Sequence, residues 1–305
     1  MANRQTNRFA QLWRFAALLL CIVVAGCHSL NVVPPVADHS ETADKDPAAA
    51  IAAKRSFRVS QFFFLPDFDL QQNLPLFEEL GAMREQVYRE LQLPPSSTVI
   101  QVHIFADRPR YDQFMHGKYP FLPNRRAFFV AQQRAVGAVE DLLVYTYWGD
   151  RIREDLRHEL THALLHSVLK NVPLWLDEGL AEYFEVGAEC QGTHVRHLEQ
   201  IRADGGTVGS DLTRLEAIGQ VQQMTSAEYR EAWAWVHLML RDKAEAKAVL
   251  LEYLRQLRLN PNPGPLQPRL AVAYENLDDA LNKHLATLDA SSQRIPAVSR
   301  YDDDR

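Results

Sequence analysis

Residues 151–186 constrain the chain more than any other stretch, because two helical segments there are separated by a helix break. Arg157-His158-Glu159-Leu160-Thr161-His162 lies in the first segment, predicted over 151–170. Asn171-Val172-Pro173 interrupts it, since proline cannot continue a helix. The second segment, predicted over 173–186, must then fold back on the first. Leu156, Leu160, Ala163 and Leu164 give the first helix a buried side. At 3.6 residues per turn, His158 and His162 stand one turn apart on one face. Two imidazoles and a carboxylate at a buried face cost free energy unless something partners them.

The partner this spacing suits is a metal ion. Both imidazoles reach one tetrahedral Zn²⁺, and Glu159 sits beside the ligand line, near an open coordination position. A carboxylate there takes a proton from a water that the metal has acidified. A catalytic zinc site needs a third protein ligand. Pro173-Leu174-Trp175-Leu176-Asp177-Glu178-Gly179-Leu180-Ala181-Glu182 supplies two, Glu178 and Glu182, four residues apart on one face. One binds the metal and the other orients a histidine from behind. Fifteen residues separate His162 from Glu178. In an untilted hairpin, Glu182 comes nearer the level of His162; a tilted crossing favours Glu178, and the crossing angle is a tertiary property. His166 continues the row of histidines and is expected to lie beyond the metal.

Trp-Leu-Asp-Glu-Gly-Leu-Ala-Glu after H-E-x-x-H resembles the gluzincin metallopeptidases, which include thermolysin-like enzymes and aminopeptidases, and most closely the bacterial peptidase-MA-like proteins. The firm resemblance covers 151–186; a looser one extends over 57–186 and the helix from Tyr229 to Leu240. It implies a zinc peptidase with His158, His162 and Glu178 as ligands, Glu159 as general base, and Glu182 hydrogen-bonded to the first histidine. Fifteen intervening residues is fewer than in the best-known aminopeptidases. No Gly-Ala-Met-Glu-Asn segment for holding a substrate amine is present, which favours an endopeptidase.

Two further parts are needed. One is a donor to the oxyanion. Tyr229 opens a helix whose Trp233, Val236 and Leu240 fall at core spacing, and a tyrosine so placed resembles one in peptidase-MA-like chains. His237, Tyr145 and Tyr147 are alternatives. The other is a sheet edge, because gluzincins pair an extended substrate with one. Ala127 to Val130 or Leu142 to Tyr145 is the candidate. Arg125 and Arg126, just before the first, are read as solvated loop charges.

The whole chain has 305 residues, 47% of them apolar and 24% charged, with a formal charge of −6. These values exclude a collagen-like or disordered chain and argue against a nucleic-acid partner. Three cysteines are too few for a disulfide scaffold. Residues 1–26 carry Arg4, Arg8 and Arg14 and no acid. Phe15 to Ala25 is an uncharged apolar run too short to span a bilayer. This reads as an export signal. Removing its three positive charges from −6 leaves −9. Val24-Ala25-Gly26-Cys27 resembles the lipobox of bacterial lipoproteins, which implies lipidation at Cys27 and a membrane anchor in the cell envelope.

Residues 27–55 read as a tether, 56–290 as the peptidase domain and 291–305 as a tail. Within the domain, 56–150 is mixed α/β, with strands at 59–65, 99–105, 127–130 and 142–147 and a helix over 75–92. Residues 151–290 are mostly helical, with further helices over 192–203, 226–241, 243–258 and 276–288. The fold class is therefore α+β, with the metal helix between a sheet region and a zincin-like helical region. Two functions fit: a membrane-anchored zinc metallopeptidase acting on a peptide or protein, or a non-catalytic zinc-binding envelope lipoprotein serving as a scaffold. The intact Glu159 favours the first.

Overall fold

A computed structural model describes residues 55–133, 140–208 and 211–288. The export signal, Cys27, nearly all of the tether and the tail lie outside the described residues. No helix among the described residues is long and apolar enough to cross a membrane.

The first half is a five-stranded mixed sheet. Its strands are β1 (Phe57–Val59), β2 (Phe62–Pro66), β3 (Ile100–Phe105), β4 (Phe128–Gln133) and β5 (Glu140–Tyr147), in the order β1-β2-β3-β5-β4. β2, β3 and β5 run parallel, and β1 and β4 pair antiparallel at the two ends. The single strand expected over 59–65 is a hairpin instead. Ser60 turns the chain with a φ of +55°, a left-handed conformation that ends β1. The parallel pairs need crossovers. The first carries α1 (Pro75–Glu90), as expected. The second carries α2 (Arg108–Lys118), which the sequence reading missed. Asp107 caps α2 by accepting from the Arg110 amide. Only Tyr111 and Met115 are buried on α2, so its apolar periodicity is faint.

Each face of the sheet has its own core. Ile100, Val102, Ile104 and Val144 join α1 and α3 (Ile152–His166) in the main core, while Leu143, Tyr145 and Tyr147 join α2 in a tyrosine-rich one. β5 is covered on both sides and paired on both edges, so it is not the exposed edge considered for Leu142 to Tyr145. That edge is β4, beside α3.

The second half is helical: α4 (Leu174–Glu185), α5 (Val195–Ala203), α6 (Leu212–Glu216), α7 (Ser226–Arg241), α8 (Ala244–Leu259), α9 (Gln267–Leu270) and α10 (Leu277–Thr287). The long helices match their expected spans within a few residues; α6 and α9 are short additions. The class is thus α+β, a mixed sheet followed by helices. α4 lies between α3 and α7 and is buried at nearly every position. Gly179 permits this. A Cβ there would stand 2.5 Å from the Ala232 carbonyl oxygen of α7.

Candidate metal centre

α3 and α4 form the expected hairpin, and its crossing brings His158, His162 and Glu178 together. One donor atom from each lies within 4.8 Å of the others. His158 Nε2 and His162 Nε2 stand 3.6 and 3.7 Å from Glu178 Oε2. Those separations are too long for hydrogen bonds. They are close to what a shared ion requires, since two donors about 2.1 Å from a tetrahedral zinc stand roughly 3.4 Å apart. The Glu178 carboxylate is fully buried, and neither oxygen makes a hydrogen bond. A buried carboxylate without such bonds is costly unless a cation compensates it. The donor set, two imidazoles and one carboxylate, is one that zinc accepts. These residues therefore fit a metal ion, and Glu178 rather than Glu182 is the carboxylate that reaches both histidines.

Acids behind the ring nitrogens orient both imidazoles. His158 Nδ1 donates to Glu185 Oε2 at 3.2 Å. His162 Nδ1 lies 3.0 Å from Asp177 Oδ1. The other Asp177 oxygen is 3.0 Å from His166 Nε2, so His166 serves this acid and not the metal position. A carboxylate behind each ring favours the tautomer with its lone pair on Nε2. Burial opposes ionisation of Asp177 and Glu185, but their histidine partners overcome it and hold both carboxyls far below the ordinary range. Glu178 is likewise held low against its burial.

Glu182 corrects an expectation. It hydrogen-bonds His197 at 2.9 Å instead of His158. Glu185 takes the expected role because residues seven apart share a helix face as well as residues four apart. Glu178 and Glu185 thus lie along one stripe of α4, a signal that the sequence contained. Asp177 was legible only as the neighbour of Glu178. Arg157, wholly buried, donates from Nε to the Glu185 carbonyl at 3.0 Å and from a terminal nitrogen to the Val186 carbonyl. It satisfies the open end of α4 and ties it to α3. Its other terminal nitrogen reaches Glu79 of α1 at 2.9 Å.

Glu159 is buried beside the two histidines. Burial pushes its carboxyl up, opposed by His158 and His162 and reinforced by Glu178. A cavity of about 520 Å³ opens beside His158 and is lined by Glu182, Glu185, Tyr229 and Arg125, among others. The Tyr229 hydroxyl accepts from Arg125 at 3.2 Å. Arg125 is therefore part of the cavity wall and not a solvated loop charge, whereas Arg126 binds Asp155 of α3 at 3.0 Å.

Three other candidates face elsewhere. His237 lies between Thr193 and His284, with Nδ1 2.8 Å from His284 Nε2. Tyr145 and Tyr147 belong to the tyrosine-rich core across the sheet. β4 does approach the centre: Phe129 stacks on the His162 ring, with centroids 6.3 Å apart. No protein-family model matches this chain, and no curated protein matches it either.

Proposed function

We propose that this chain is a zinc-dependent metallopeptidase of the gluzincin, peptidase-MA-like kind, held at a bacterial envelope membrane through a lipid on Cys27. The observation that carries the reading is the fully buried Glu178 carboxylate, facing two histidine Nε2 atoms at 3.6 and 3.7 Å with no hydrogen bond of its own. His158, His162 and Glu178 would hold the zinc. Bound there, zinc supplies Lewis acidity toward a water and a peptide carbonyl.

The chain's own residues do the rest. Glu159 takes the proton from the attacking water and passes it to the leaving amine. Tyr229, in the wall of the cavity beside His158, is the donor to the carbonyl oxygen. The outer edge of β4 pairs with an extended substrate. Asp177 and Glu185 hold the two imidazoles in position. The cavity beside His158 favours catalysis over a scaffold role, since structural zinc sites are closed by four protein ligands.

The test is Glu159→Gln. Hydrolysis of a broad peptide library, abolished in the wild type by a chelator, should also be lost in the variant while zinc stays bound. A variant that cleaves as fast as wild type overturns the mechanism.

A further inference from the structure

The end of α4 and the start of α5 carry two pairs at the same spacing. Glu182-Tyr183-Phe184-Glu185 closes one helix, and His194-Val195-Arg196-His197 opens the next. Residues three apart on a helix share a face, so each pair presents two ligating groups side by side. The loop between them folds the pairs together. Gly192, at a φ of +82°, makes the return beneath Tyr183, where a Cβ would overlap the ring.

The result is a second cluster of donors. Glu182, His194 and His197 each offer an atom within 4.8 Å of the others. His197 Nε2 is 2.9 Å from Glu182 Oε2. His194 Nε2 is 3.7 Å from both Glu182 Oε2 and Glu185 Oε1. His194 is the telling residue. It is only 7% exposed. Its Nδ1 is buried with no hydrogen bond, and its Nε2 faces the two carboxylate oxygens from beyond hydrogen-bond range. A buried ring nitrogen without a hydrogen bond needs an explanation.

We propose that Glu182, His194 and His197 form a second divalent-cation site, distinct from the His158–His162–Glu178 centre. Two imidazoles and one carboxylate make a three-donor set of a kind that zinc accepts, with Glu185 Oε1 beside it, 3.7 Å from His194 Nε2. Two carboxylates neutralise a dication, so the filled site is neutral in a cavity that arginines also line. The ion takes the place of the proton between His197 and Glu182, and these atoms spread by about 0.5 Å to admit it. Arg151, 3.7 Å from Glu185 Oε1, is the competitor for that oxygen. The site bridges the end of α4 and the start of α5. It fastens α5 to α4 and, through Glu185, braces the His158 ring.

This proposal does not depend on the peptidase reading, and metal counting separates the two. The full chain is stripped with a chelator, reloaded with Zn²⁺, desalted, and its zinc measured by mass spectrometry. Wild type should retain two zinc ions per chain. Glu182→Gln and His197→Gln should each retain one, with near-ultraviolet circular dichroism as the check on folding. His162→Gln should also retain one, now at the second site. A wild-type count of one that survives both Glu182→Gln and His197→Gln overturns the second site and leaves the first intact. A single ion lost in those variants but kept in His162→Gln supports the second site and overturns the catalytic one. Two ions in every second-site variant, or none in wild type, also overturns the proposal.

Discussion

Two groups of histidines show what separates a site from a core. His158 and His162 on α3 lie among Glu159, Asp177, Glu178 and Glu185. His237 on α7 and His284 on α10 are buried too, but the surroundings of His237 are Thr193, Trp233 and Tyr183, and Asp242 stands 3.4 Å from His284 Nδ1. Burial alone pushes an imidazole toward its neutral form. It does so at His237, whose pKa falls to about 3, with help from His284. The acids on α4 create the opposite situation. They make a concentration of negative charge that no hydrogen bond fully satisfies, and a cation is the economical answer. Position on a helix face is similar in the two groups; the neighbours differ.

That contrast can be attacked directly. The same change at the two places should give unlike results: His162→Gln should weaken zinc binding more than about 100-fold, while His237→Gln leaves zinc affinity unchanged. Competition with a chromophoric chelator reads both, and equal losses would erase the distinction. Asp177→Asn keeps the shape and removes the charge behind His162. Zinc affinity should drop by roughly 10- to 100-fold in the same assay.

Gly179→Ala probes the seam between the two groups, since the added methyl meets the Ala232 carbonyl of α7 at 2.5 Å. Denaturant unfolding should show a loss of about 1–3 kcal/mol, the usual cost of overpacking. The smallest effect concerns acid. His237 ionises near 6.5 when unfolded and near 3 when folded. The unfolded chain therefore binds the extra proton first, and stability falls as pH drops below about 6.5. At pH 5.5 the contribution is about 1 kcal/mol. His237→Gln should lose less stability than wild type between pH 7 and 5.5, and an identical loss would place the titration elsewhere.

Local chemistry explains which parts of the molecule were legible. The spans of α1, α3, α4, α7, α8 and α10 follow from helical periodicity, caps and breaks, all of which act within a few residues. α2 escaped because its buried face is only Tyr111 and Met115. β1 and β2 merged into one expected strand because a two-residue turn at Ser60 and Gln61 carries no glycine, asparagine or proline to announce it. The parallel placement of β5 inside the sheet is set by a crossover, which strand composition does not encode.

The site divides along the same line. By itself the sequence determined that His158, Glu159 and His162 share a helix and that Glu178, Glu182 and Glu185 crowd the next one, because a helix repeats every 3.6 residues whatever surrounds it. Tertiary structure alone decided which acid meets which histidine. The packing of α4 between α3 and α7, close at Gly179, places Glu178 beside both Nε2 atoms and Glu185 beside His158 Nδ1. Glu182 is left to α5, where the return at Gly192 delivers His194 and His197. A crossing angle is the outcome of packing two surfaces together, and no short stretch of sequence carries it.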